Sequence, residues 1–278
     1  MTFKKYLIIA SKKDKAGINI TTQLSQFRKN PVLSAMNENP APTFDFLLVD
    51  EEIIWDSNYN QEKINKYDFI IFASKHQSEK GGKTLSIHAP GNPRQNDLGG
   101  QPNKMCPTSA LLQKHMFEKM HKIVEEHELK NYQITLECTH HGPLINKPCL
   151  FIEIGSTETE WADRRVAFVI AKTISESIET FQPNPHREIA IGIGGPHYCP
   201  SFNKIQKNSN IAISHIIQSY SLPLTEEMIK EAIKKTHEEV DLAILDWKGM
   251  GNSEQRQQSL EILNKNYISY KKTSEIEK

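Results

Sequence analysis

The chain has 278 residues, with 34 Lys+Arg against 34 Asp+Glu and a formal net charge of zero. That length fits one large domain or two small ones and hides roughly 75% of the unfolded surface. The even charge weakens any reading that depends on a strongly basic face, while leaving room for recognition of a single RNA end or ester. No run approaches the ~20 apolar residues of a membrane span.

The opening Met1-Thr2-Phe3-Lys4-Lys5 leads into an apolar run over 6–10, too short for a signal-peptide core with its cleavage site. Four cysteines (Cys106, Cys138, Cys149, Cys199) lie far apart with no CxxC pair, unlike a small disulfide scaffold. They imply a cytoplasmic protein with reduced thiols, each cysteine serving as a small buried hydrophobe.

In chain order, a strand is expected over 6–11, a helix over 16–28, and strands over 44–50 and 67–74. Residues 74–104 carry many Gly, Pro and Asn and little periodicity, so an irregular, functional loop is expected there. A helix over 108–128 sets Leu112, Met116, Met120 and Ile123 on one face. Strands over 133–138 and 149–154 follow. A helix over 157–181 opens with a capping box, Thr157 to Glu160, and repeats Val166, Ile170, Ile174 and Ile178. A strand over 188–193 leads into a second irregular stretch, 194–210. A helix over 225–239 carries acids in its first turn, where the dipole favours them. A strand over 241–246 and a weaker helix after Ser253 complete the set. The chain reads as one domain over 1–271, followed by a frayed polar tail. The strands are nearly continuous in Ile, Leu, Val and Phe, which suits burial on both faces. Strands alternating with helices imply a three-layer α/β fold.

Eleven histidines are present. His115, His121, His127 and His237 sit among charges in helical patterns and read as solvated faces; His186 lies in a turn-like surface stretch. The others differ. His76 follows the strand over 67–74, His140 and His141 follow that over 133–138, and His197 follows that over 188–193. His88 sits in an irregular stretch before Ala89-Pro90-Gly91-Asn92. Ligands in open α/β sheets bind beyond the carboxyl ends of strands, so these loops should converge. Glu153 and Glu137 lie in apolar strand ends, where a carboxylate needs a partner or a cation; a structural salt bridge is the plainer alternative. Imidazoles with a carboxylate are what a catalytic zinc takes, with one position left for water.

No HExxH or GxSxG spacing is present. If the strand continues through them, His140 and His141 point to opposite faces, and His141 shares the parity of Glu137. Gly194-Gly195 would let the backbone approach a ligand. Lys248-Gly249-Met250-Gly251, with Arg256 beyond, could hold an anion or form an ordinary turn. Cys138 and Cys199 each neighbour a histidine, which leaves a cysteine nucleophile open.

Leu136-Glu137-Cys138-Thr139-His140-His141-Gly142-Pro143 resembles a block of the archaeal-type D-aminoacyl-tRNA deacylases, a family shared with plants. Phe151-Ile152-Glu153-Ile154-Gly155-Ser156-Thr157 with Trp161, and Gly192-Ile193-Gly194-Gly195-Pro196-His197-Tyr198, resemble the next two. The segments at His76 and His88 resemble an earlier block, and Asp246-Trp247-Lys248-Gly249-Met250 with Arg256 a late one. The blocks span nearly the whole chain in the family's order. One departure lies at Ser214-His215-Ile216-Ile217-Gln218-Ser219-Tyr220, where the family has Gly before the His and a more basic stretch before the Tyr. No family role is therefore carried onto His215.

The resemblance implies a phosphorylase/hydrolase-like α/β/α sandwich with a mixed sheet, related in shape to peptidyl-tRNA hydrolases. It implies a zinc-dependent monomer, with one or two ions, that hydrolyses the ester of D-aminoacyl-tRNA; some members also accept substrates modified by aldehydes on the amino group. His88, His141, Glu153 and His197 are then the expected metal ligands, and Glu137, His140 and His141 the catalytic groups. His76, Gly194, Gly195, Tyr198, Lys248 and Arg256 are expected to meet substrate or tRNA, and the Gly194-Gly195 amides to help hold an oxyanion. A metallohydrolase of a small amide or peptide, or a non-enzymatic RNA-end binder, are the competing readings.

Overall fold

The computed structural model describes residues 2–27, 42–55, 59–78, 81–95 and 98–276. The elements are β1 (Lys5–Ser11), α1 (Lys15–Leu24), β2 (Thr43–Val49), α2 (Gln61–Asn65), β3 (Phe69–Gln77), β4 (Thr84–His88), β5 (Gly91–Asn92) and β6 (Lys104–Met105). They continue with α3 (Ala110–Glu126), β7 (Gln133–Leu136), β8 (Cys149–Ser156), α4 (Glu158–Ala162), α5 (Arg164–Thr180), β9 (Glu188–Ile193) and α6 (Pro200–Asn208). Last come β10 (Ile211–Ile217), α7 (Glu226–Lys234), β11 (Leu242–Leu245), α8 (Ser253–Lys265) and β12 (Tyr270–Lys272).

A six-stranded mixed sheet runs β2-β1-β3-β8-β4-β7, and a four-stranded sheet runs β10-β9-β11-β12. In the first, β8 is parallel to β3 but antiparallel to β4, which in turn is parallel to β7. The second is parallel throughout. Strand side chains alternate between faces, and here both faces are apolar. Tyr6, Ile8, Ala10, Phe69, Ile71 and Ala73 join a large core with α1, α3 and α5. Leu7, Ile9, Ile70, Phe72 and Phe151 join a smaller one with Ile64 of α2 and the segments around Ile53, Cys106 and Ile145. The large core continues into one face of the second sheet through Ala190, Ile213 and Ile244, and α7 and α8 cover its other face. The expected layered α/β architecture holds, with two principal sheets sharing one core.

Several local expectations are corrected. The stretches over 74–104 and 194–210 contain β4 and α6, and β10 follows, so they are not wholly irregular. Pro200 at the first turn of α6 accounts for that helix start. The helix expected over 157–181 breaks at Asp163, whose extended backbone (φ −70°, ψ 107°) and carboxylate cap a new helix at the amides of Arg165 and Val166. The expected box at Thr157 and Glu160 is present on α4. The helix expected to 239 ends at Lys234, and residue 28, the expected end of the first helix, lies outside the described residues. The tail is ordered through β12, which pairs with β11, and Ile276 packs on the large core. His115, His121 and His127 are half-buried rather than solvated, while His237 and His186 are exposed.

Candidate active site

Strand alternation selects the site's face. In β8, Leu150, Ile152 and Ile154 enter the large core, so Phe151 and Glu153 point the other way. On that face Ser74 of β3 and Ser86 of β4 flank Glu153 in register. Two residues on from each serine come His76 and His88. The His88 ring stacks on Phe151, with centroids 5.0 Å apart and planes 7° apart.

Beyond β7 the chain crosses between the two sheets. Glu137 N–H donates to Ile87 O (3.1 Å), Cys138 N–H to His197 O (3.0 Å) and Thr139 N–H to Ile216 O (2.9 Å). His215 supports this seam: it is fully buried, its Nδ1 is 3.1 Å from Thr139 Oγ1, and burial lowers its pKa to about 4. His140 and His141 follow directly. The parity expectation fails here because the strand ends at Leu136 and His141 adopts φ +43°. That left-handed turn, at a cost of about 1–2 kcal/mol, brings the two rings together with centroids 4.3 Å apart. They lie 4.3 and 4.9 Å from the His88 ring.

The result is one polar cluster gathered from five segments. Glu137 is at its centre, with side chain fully buried: Oε1 is 3.1 Å from His76 Nδ1, and Oε2 is 3.2 Å from His197 Nε2 and 3.6 Å from His140 Nε2. Glu153 lies 3.5 Å from His76 Nδ1 and 3.8 Å from His88 Nε2. Burial opposes charge on His76, but Glu137 and Glu153 outweigh it and raise its pKa to about 11. His197 is likewise raised to about 10 by Cys138 and Glu137 against burial. Burial also opposes charge on both carboxylates, yet the imidazoles hold Glu137 well below the usual range and lower Glu153. His140 and His141 are lowered, His141 to about 4, by burial and by neighbouring imidazoles.

The cluster fits a divalent cation. Nδ1 of His88, His140 and His141 faces a backbone carbonyl, Ala89 O (3.3 Å), Cys138 O (2.8 Å) and Gly142 O (2.6 Å) respectively. Such contacts fix the tautomer and leave Nε2 to bind metal. His88 Nε2 and both Glu137 oxygens are buried without an aligned hydrogen-bond partner, an arrangement that a cation would satisfy. His88, Glu137 and Glu153 form one possible ligand group and His88, His140 and His141 another; Cys138 or His76 with His197 extends the cluster.

A cavity of about 350 Å³ opens beside this cluster, lined by His76, His140, His141, Glu153 and His197, with Ile53, Ile54 and Leu98 as an apolar wall. Tyr198 reaches the site through its hydroxyl, 2.8 Å from His76 Nε2. Gly194 and Gly195 do not line it. Gly194 N–H is spent on Ile217 O at 2.7 Å, which removes it from the expected oxyanion role. A Cβ on Gly249 would fall 2.3 Å from Gly195 N, so the two glycine turns pack together as scaffold. Lys248 lies in a separate groove, and Arg256 sits over the Trp247 ring at 5.3 Å. Sequence reasoning missed Tyr220, whose hydroxyl is 3.2 Å from Cys138 Sγ, and Asp14, which accepts from Ser74 Oγ and Lys75 N–H at the cavity edge. Asp14's place as the cap of α1 was the available signal; for Tyr220 it was its place at the end of the segment from Ser214 that was compared with the family and given no role.

Known proteins match this chain along its length. A protein-family model described as D-aminoacyl-tRNA deacylase matches residues 63–271. Proteins named D-aminoacyl-tRNA deacylase from Methanocaldococcus jannaschii and Methanosarcina barkeri are 31% and 34% identical; they align over 91% and 98% of this chain and 93% and 90% of their own. The crystal structure of a conserved protein of unknown function, AF0625, superposes with a TM-score of 0.85 at 28% identity, covering 99% of this chain and 98% of that one. With the sequence blocks, the fold and the histidine-carboxylate cluster in agreement, the chain belongs to the D-aminoacyl-tRNA deacylase family.

Proposed function

We propose that this protein hydrolyses the ester bond of D-aminoacyl-tRNA, releasing the free D-amino acid and tRNA, with zinc as cofactor. The carrying observation is the convergence of His88, His140 and His141, each with Nδ1 turned to a carbonyl, on the buried Glu137 and Glu153. His88, His141 and Glu153 would hold the ion, with Glu137 or His197 completing the set for one ion or shared with a second. A bound zinc supplies Lewis acidity, which makes water a nucleophile near neutral pH and draws charge from the ester carbonyl.

The chain's own groups supply the rest. His140, neutral near pH 7, accepts the water's proton at Nε2 and returns it to the departing ribose oxygen. Glu137 fixes His140, His197 and His76 around one carboxylate. Where Glu137 completes the ligand set, His197 stays protonated beside it and, lining the cavity, offsets charge that develops on the carbonyl oxygen. The apolar wall of Ile53, Ile54 and Leu98 receives the amino-acid side chain. The reading includes a single domain over 1–271 acting as a cytoplasmic monomer. Among the described residues no helix is long and apolar enough to cross a membrane.

The test is hydrolysis of matched D-Tyr-tRNA and L-Tyr-tRNA with and without chelator, in the wild type and in His88→Ala, His141→Ala and His197→Ala. Chelator-sensitive release from the D substrate is expected, with large losses in each variant. Near-wild-type rates in all three variants would overturn the site assignment, and equal rates on both substrates would overturn the function.

A further inference from the structure

A second cavity, about 720 Å³, lies between α6, the turn after β11 and residues 272–276. Lys204, Lys248 and Lys272 line it. Lys204 and Lys248 are exposed, and no carboxylate among the described residues pairs with any of the three. Asp246 is the acid in the lining, and its carboxylate is engaged by Gly249 N–H. Glu275 turns to Lys272 N–H. Lys272 Nζ lies 4.4 Å from the Trp247 ring centroid, which holds that ammonium against the wall. In a chain of zero net charge, three unpaired lysines in one concavity form a local positive field suited to phosphates.

The groove and the candidate active site belong to one structural piece. The wall at Asp246–Gly249 packs on Gly194 and Gly195, just before His197. On the other side, α6 starts at Pro200, directly after Tyr198 and Cys199, and places Lys204 about 6 Å along the helix axis. A strand whose 3′ end lies by His197 and Tyr198 therefore finds these lysines close at hand.

We infer that this groove is the docking site for the RNA phosphodiester backbone of the substrate, next to the esterified 3′ end. The inference rests on the deacylase reading, and it assigns phosphate contacts to Lys204 and Lys272 as well as Lys248. Each lysine neutralises a phosphate and releases counterions; the groove contributes affinity and register, and base identity is not read there.

The test is equilibrium binding of uncharged tRNA by the full chain across a salt series, which needs no catalysis. In the Lys204→Gln/Lys248→Gln/Lys272→Gln variant, the slope of log K against log salt should shrink by about 2 to 3, since each lost contact removes ~0.7–0.9. The corresponding triple Lys→Arg variant should keep the wild-type slope. Far-ultraviolet circular dichroism confirms folding, and single Lys→Gln variants with a reduction of about 0.7–0.9 each serve if the triple variant is unstable. An unchanged slope in the triple Gln variant, or a small-anion site from which low-millimolar inorganic phosphate displaces tRNA, overturns the inference. Wild-type chain that binds tRNA with the expected slope yet leaves D-Tyr-tRNA intact would instead count against the deacylase reading alone.

Discussion

Gly155→Ala tests how tightly the site is locked to its sheet. Gly155 on β8 pairs with His76 of β3 and Thr84 of β4. A Cβ there would stand 2.4 Å from Thr84 Oγ1, 2.9 Å from His76 Cδ2 and 3.0 Å from His76 Cβ. Carbon contacts are comfortable near 3.5 Å, so Thr84 must retreat by about 1 Å and His76 by about 0.5 Å. A side-chain rotation does not move His76 Cβ, so the strand itself has to shift. Overpacking of this kind costs about 2 kcal/mol, or roughly 4–8 °C in Tm for a chain of this size. His76 touches Glu137, Glu153 and Tyr198. A misplacement of ~1 Å can cost 10²-fold, so about 0.5 Å should cost roughly 10-fold in rate. Thermal melts and single-turnover hydrolysis of D-Tyr-tRNA measure both effects. Adding Thr84→Ala removes the shortest contact without orphaning a partner, because Thr84 Oγ1 makes no hydrogen bond. The double variant should regain stability but not rate. Gly155→Ala with wild-type Tm and wild-type rate would refute the packing argument.

Two further predictions concern the helices around the core. Lys114 on α3 is buried, and its ammonium donates to Gln206 O and Ser209 O at the end of α6 while pairing with Glu118. Lys114→Met orphans Gln206 O, while Ser209 O keeps the Arg187 guanidinium, and should cost about 1–3 kcal/mol in urea unfolding; a loss well under ~1 kcal/mol would show that water replaces the ammonium. His121 packs against Phe117, and burial, then Lys207, lowers its pKa from 6.5 to about 4. The folded state thus refuses a proton that the unfolded chain takes up, so this contribution is complete above pH 6.5 and is lost as pH falls towards 4. Solvent screening of a half-buried ring limits it to about 1 kcal/mol. His121→Leu should flatten the stability profile between these limits, and an unchanged profile would place the pH dependence elsewhere.

Much of the fold was legible because β1, β3, β8 and β9 are buried on both faces and read as continuous apolar runs. β4 and β10 escaped for the same physical reason in reverse. Each carries a serine and a histidine, on one face in β4 and adjacent in β10, which are solvated in appearance and buried in fact. The convergence of histidines beyond strand ends was foreseen, but its geometry was not. Because β4 and β7 run against β8, their carboxyl ends lie beside its middle, which is how His88 and Glu137 meet Glu153 inside the sheet. The positive φ of His141 had no signature in the sequence. Nor did the half-burial of His121, since a helical pattern gives the face and says nothing of the neighbour that covers it.

The cluster's own energetics yield the last prediction. Without a cation, two buried carboxylates share one small volume and are held charged by His76 and His197. Mutual repulsion of like charges at such range opposes folding, whereas a cation would relieve it. Glu153→Gln keeps the shape, removes one charge and leaves His76 matched to Glu137. In chelator, Tm of this variant should stay at or above wild type. With zinc at 100-fold its Kd, wild type should gain about 2.7 kcal/mol, or roughly 5–10 °C. The variant at the same zinc concentration should gain less than half of that. An equal zinc response in both proteins would remove Glu153 from the ligand set, whatever its effect on rate. A marked destabilisation in chelator would mean that the carboxylate stabilises the fold through His76 instead of serving the ion.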